Sequence, residues 1–212
     1  MPSRTVTALR TLANDPGFCR VEVADRRFGP LRRDDAERLG IGPGTRWTTA
    51  LERRVEALIA VAVARRVALA ALARSSISRE RLAERLGARG HAAEAIRTAL
   101  DQLVDDGWLD EARAALERAE VLSRRQAMTV PLLAARLEAE GFGRHAAPAA
   151  RQAIGDEPDL ERALRSARHA SLRRRGDAAV ARHLARLGFD SDTIELTMER
   201  IGRRTDSTRE LA

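Results

Sequence analysis

Apolar and polar residues alternate strictly in only one part of the chain, residues 5 to 31. TVTAL is followed by CRVEV, with Val21 and Val23 set against Arg20 and Glu22, and then by RFGPL. A period of two puts one face of each strand on a core, so this stretch predicts a small meander with its second turn at Asp25-Arg26. Three short strands need a helix to lie on. Asp34 is placed to cap a short segment ending at Leu39-Gly40, and Gly42-Pro43-Gly44 makes a loop. Thr49 with Glu52 then forms a capping-box pattern that opens a long helix to about Arg74, roughly 35 to 40 Å at 1.5 Å per residue. Leu51, Val55, Leu58, Ile59 and Ala62 give that helix its apolar stripe.

From Ser78 onward the period is helical throughout. A short helix ends at Gly90, a longer one runs to about Asp106, Gly107 breaks it, and Asp110 opens a third reaching about Arg125. The cycle recurs. Thr129 with Pro131 begins a helix ending at Gly141, a second runs to Gly155, and Asp156 with Pro158 opens a third to Arg175. A last pair starts at Gly176-Asp177 and again after Gly188-Phe189. Aligned on Gly90, Gly141 and Gly188, the copies match. Leu82, Leu133 and Val180 stand eight positions before the glycine, and Leu86, Leu137 and Leu184 four before. Ile96, Ala147 and Ile194 stand six after it, and Leu103, Ile154 and Ile201 thirteen after. The glycines are 51 and 47 residues apart, a spacing that implies stacked helical units. Each glycine has a local cause, because the last carbonyls of a helix are satisfied by a left-handed residue and only Gly adopts that conformation freely. Phe142 and Phe189 follow at the position that folds back onto the finished helix.

The expected fold is mainly α: three tandem three-helix repeats behind a β-rich leader of about three strands and a long helix. The boundaries read 1–48 for the leader, 49–125 for the long helix and first repeat, 126–175 for the second, 176–204 for a partial third, and 205–212 for a tail. Helical units in a row bury only neighbouring surfaces, which predicts an elongated body with extended faces.

Composition changes this picture little. The 212 residues are 33% charged and 44% hydrophobic, ordinary for a folded domain. All 38 basic residues are Arg, which reads as codon usage in a GC-rich genome. The net charge of +7 is uneven: residues 1 to 77 hold 14 Arg against 8 acids, net +6, and the remainder is nearly balanced. An acidic partner fits such a charge. The single cysteine, Cys19, excludes an internal disulfide. The N-terminus lacks the apolar core of a signal peptide, and LIAVAVARRVALAALA is broken by Arg65-Arg66, so neither export nor a membrane partner is expected. A cytoplasmic monomer is the resulting expectation.

Reaction chemistry is scarce. His91, His145, His169 and His183 show no metal-ligand spacing and read as solvated or half-buried helix residues. Asp105-Asp106 and Asp110-Glu111 lie at a helix end and the next helix start, where caps and dipole complements belong. GIGPG at 40 to 44 reads as a turn, since Pro43 removes an amide that a phosphate loop would use. No catalytic residue, metal ligand or cofactor-binding residue is expected, and no cofactor. Trp47 and Trp108, each among apolar neighbours beside a turn, read as core anchors. Two basic runs remain. Arg124-Arg125 lie in the acid-free gap from Glu120 to Glu138, and Arg162, Arg165, Arg168, Arg173, Arg174 and Arg175 lie between Glu161 and Asp177. Arg124, Arg125, Arg173, Arg174 and Arg175 are the candidate contacts to a polyanion or protein partner.

The segments SRERLAERLGARGH, GWLDEARAALERA, LLAARLEAEGF and VARHLARLGFDSDTIELTMERI, in that order and spacing, resemble the RecX family of RecA regulators. The leader RVEVADRRFGPLRRDDAERLGIGPGTRW resembles the β-rich extension of some members, so the resemblance spans nearly the whole chain. An aromatic usual in the family is replaced near Ala114, and glycines usual before the middle repeat are replaced by Ala127 and Thr129. The resemblance implies a non-enzymatic modulator that lies in the groove of the RecA filament on single-stranded DNA. There it suppresses ATP hydrolysis, strand exchange and co-protease activity. Single- or double-stranded DNA is the further partner to consider, and the alternative is a helical DNA-binding protein, a helix-turn-helix-like transcriptional regulator docking on duplex DNA, which predicts steeply salt-dependent binding to naked DNA.

Overall fold

The computed structural model describes residues 4–168 and 176–209, with side chains as far as Gly202. It divides into two compact units, one formed by residues 1–75 and 79–109, the other by 76–78 and 110–212.

The N-terminal unit opens with the meander. Strands β1 (Val6–Leu12), β2 (Asp15–Val23) and β3 (Arg26–Arg32) pair antiparallel in the order β1-β2-β3. Cys19, Val21 and Val23 all point inward at period two and are fully buried. The second turn lies one residue earlier than Asp25-Arg26, because Val23 pairs with Arg26 and leaves Ala24-Asp25 at the tip. Helix α1 (Arg33–Arg38) follows without a side-chain cap, and Asp34 sits in its first turn rather than before it. The GIGPG segment is a turn, tied by Gly42 N–H to Thr45 Oγ1 and by the Thr45 hydroxyl to the Gly40 carbonyl.

Helix α2 (Thr49–Leu72) is capped by Thr48, whose hydroxyl accepts from Leu51 N–H, one residue ahead of the expected box. Glu52 is drawn elsewhere. Its carboxylate accepts from the Trp47 indole at 3.1 Å, from Arg4 at 3.1 Å and from Arg26 at 2.5 Å. This knot ties the first turn of α2 to the sheet, and Trp47 lies beneath it with its ring 4.9 Å from that of Phe28. Val55, Leu51, Leu58 and Ile59 cover the sheet core, whereas Ala64, Ala68 and Ala71 are buried farther along, where α2 meets α3 (Arg79–Gly87) and α4 (Ala93–Asp105). A helix packed on different partners along its length needs apolar residues on more than one stripe.

The C-terminal unit contains α5 (Glu111–Arg125), α6 (Val130–Ala139), a 3-10 turn (Gly143–His145), α7 (Ala146–Ile154), α8 (Asp159–Ala167), α9 (Asp177–Arg186) and α10 (Ser191–Arg209). Asp110 caps α5, Thr129 caps α6 and Asp190 caps α10. The path expected from α8 to Arg175 leaves the described residues after Arg168.

The periodic frame is real in its turns. Gly90, Gly141 and Gly188 have φ of 82°, 81° and 86°. After each, the next residue donates its N–H back to the leucine four before the glycine: His91 to Leu86, Phe142 to Leu137, Phe189 to Leu184, at 3.1 to 3.3 Å. The paired leucines and valine of the frame, together with both phenylalanines, are buried. One position departs: Ala147 is exposed and Ala146 takes the core place. The inserted 3-10 turn winds the chain more tightly before α7 and shifts its phase by one residue.

Candidate functional site

The candidate contacts sort into three groups. Arg124 and Arg125 form the last turn of α5, where positive charge complements the helix dipole. Arg124 is exposed and reaches back to Glu120 at 2.9 Å, a pair screened by water and worth little. Arg125 is exposed and makes no ion pair among the described residues. Arg173, Arg174 and Arg175 lie outside the described residues.

The sequence run that follows Glu161 is less free than it reads. Arg162 is only 3% exposed; it donates to Asp159 and, at 3.3 Å, to the Glu157 carbonyl. Arg165 forks onto the Glu157 carboxylate. Both acids stand ahead of the run in sequence, and the helical winding of α8 brings them back to it. Arg162 Nε is buried with no acceptor among the described residues. Folding also joins the two runs. Arg124, Arg162 and Arg165 line one cleft of about 260 Å³ within the C-terminal unit, together with Ser123, Glu157, Met128 and Ile154.

A larger cleft of about 460 Å³ lies within the N-terminal unit, between the β1-β2 hairpin and α2. Leu12, Phe18, Pro30, Leu58, Val61 and Leu69 line it, with Arg32, Arg65 and Arg66 beside them. Arg65 donates to Asp106 at 2.6 Å, so that member of the carboxylate group at the α4 end serves an ion pair. Among the described residues no group of three or more His, Cys, Asp or Glu is placed to hold a metal ion. No described helix is long and apolar enough to cross a membrane.

No protein-family model matches the chain, and no curated protein is detectably similar to it in sequence. Solved structures are similar. A crystal structure of regulatory protein RecX superposes with a TM-score of 0.75 at 15% identity, covering 92% of this chain and 99% of that one. The crystal structure of RecX from Lactobacillus salivarius gives 0.56 at 15% identity, over 68% of this chain and 97% of its own. The chain has the RecX fold.

On this RecX fold, the two tryptophans part company. Trp47 is buried at 4% exposure, as an anchor should be, but Trp108 is 61% exposed. The turn at Gly107 explains it. Trp108 and Leu109 both donate to the Leu103 carbonyl, and it is Leu109 that turns inward, buried at 3%. Val104, in the last turns of α4, is exposed as well, so two large apolar side chains face outward here where periodicity predicted a buried anchor. The frame points the other way at this turn: directly after Gly141 and Gly188 the next residue is buried, whereas after Gly107 the next residue is exposed and the following one, Leu109, is buried. His91, His145 and His183 are half-buried, His183 within 3.1 Å of Ser166 Oγ; His169 lies outside the described residues.

Proposed function

We propose that the chain is a non-enzymatic regulator that binds RecA recombinase filaments on single-stranded DNA. There it lowers their ATPase, strand-exchange and co-protease activities in DNA repair and the SOS response. The observation that carries the reading is the RecX fold across 92% of the chain, together with the same glycine turn written three times in register. Arg124, Arg125, Arg173, Arg174 and Arg175 are the proposed contacts to the filament, and the chain acts as a monomer without a cofactor. The proposal is tested by titrating the full chain into RecA and single-stranded DNA. ATP turnover is expected to fall and the chain to co-sediment with the filament. Unchanged turnover across a stoichiometric range, with no co-sedimentation, overturns it.

A further inference from the structure

The cleft shared by α5 and α8 has an unusual charge arrangement. Three guanidinium groups line it, Arg124, Arg162 and Arg165, against one carboxylate, Glu157. Burying a guanidinium is costly unless its donors are met. Arg162 is 3% exposed, yet its Nε has no acceptor among the described residues, while its two terminal nitrogens bond to Asp159 and the Glu157 carbonyl. Glu157 gives both of its carboxylate oxygens to the fork of Arg165. A planar carboxylate has two oxygens and satisfies one fork; a tetrahedral anion has four and bridges several donors at once. The hydroxyl of Ser123 lines the same cleft. Met128 and Ile154 supply an apolar wall, which strengthens charge interactions nearby.

We propose that this cleft is a phosphate-binding site whose anion position Glu157 occupies. An incoming phosphate takes the fork of Arg165 from Glu157, adds a contact to Arg124 at the rim, and brings acceptor oxygens beside Arg162. Glu157 therefore works as a resident competitor, which sets a threshold: an anion enters only by displacing a carboxylate already held in the fork of Arg165. A phosphate of a nucleic-acid backbone and a small phosphate monoester share this chemistry. The site needs no recombinase, so its failure and the failure of the filament reading are separate results.

The test is thermal-shift and calorimetric titration of the full chain with inorganic phosphate, a single-stranded oligothymidylate and a polyglutamate peptide. Phosphate is expected to raise the melting temperature. Glu157→Gln, which keeps the shape and removes the competing charge, is expected to bind phosphate about two- to fivefold more tightly. Arg165→Gln, at an exposed position, is expected to bind it about tenfold more weakly while melting normally without phosphate. If the oligothymidylate follows the same order of variants, the backbone is the source of the phosphate; if only phosphate itself does, a small monoester is. The proposal fails if neither the wild type nor Glu157→Gln responds to phosphate, if Arg165→Gln leaves the response intact, or if polyglutamate binds in its place.

Discussion

Thr129 rests directly on Gly188. The Thr129 N–H donates to the carbonyl of Leu187 at 3.1 Å, and a Cβ built on Gly188 would stand 2.4 Å from Thr129 Oγ1. The contact places the start of α6 on the turn that ends α9. A related bond joins the Ser78 hydroxyl to the Glu140 carbonyl at 2.6 Å. In both pairs the donor stands twelve positions before its own repeat's glycine and the acceptor one before the next glycine. The register repeated in sequence is therefore also a register of contact.

Gly188→Ala and Gly90→Ala separate backbone strain from crowding. Both positions need a left-handed backbone, which costs an alanine about 1 kcal/mol. Nothing lies within 4 Å of a Cβ at Gly90, whereas at Gly188 it meets Thr129 and, at 3.1 Å, Leu132. Denaturant unfolding is expected to show a loss of about 1 kcal/mol for Gly90→Ala and about 1 to 3 kcal/mol more for Gly188→Ala. Equal losses would mean that the Thr129 contact is absent.

Glu52 makes the N-terminal unit acid-sensitive. Burial pushes its carboxyl upward, but the Trp47 indole, Arg26 and Arg4 outweigh that and hold it below the usual carboxylate range. A carboxyl with a depressed folded-state pKa stabilises the fold fully above its unfolded value, and that stabilisation disappears as pH falls through the folded one. Melting curves of wild type and Glu52→Gln are expected to differ most near neutral pH and to converge in acid, below the ordinary carboxylate range.

The two tryptophans are expected to respond oppositely to truncation. Trp47→Ala empties a core site and is expected to cost about 3 to 5 kcal/mol. Trp108→Ala, at a 61% exposed position, is expected to change stability by no more than about 0.5 kcal/mol. Chemical denaturation of each variant checks both values, and a large loss at Trp108 would mean that its ring is packed.

Cys19 is expected to be inert in the native chain. It is 1% exposed, and burial pushes its thiol up, outweighing the nearby Arg33. Since the thiolate is the reactive form, a thiol reagent at neutral pH is expected to label it at the rate of unfolding, and rapidly in denaturant. Fast native labelling would contradict its place on the inner face of β2.

Much of this was legible in sequence because it depends on neighbours along the chain. Alternation at Val21 and Val23 fixes which face of β2 is buried, and the caps at Asp110 and Thr129 bond within three residues. The glycine turns are equally local, since a left-handed residue and a hydrogen bond five residues back define them. The phase of α7 was not legible, because a 3-10 turn and an α-turn differ by less than one residue in the pattern.

The sequence by itself determined the helical period, the repeated turns, the β meander and the positive charge of the first third, all set by short-range sterics and patterning. Only tertiary structure decided which arginines are held by acids, that the runs at Arg124 and Arg162 share a cleft, and that Trp108 faces outward. Those outcomes depend on which distant groups compete for the same donors and the same buried space, and that competition begins only once the helices have packed.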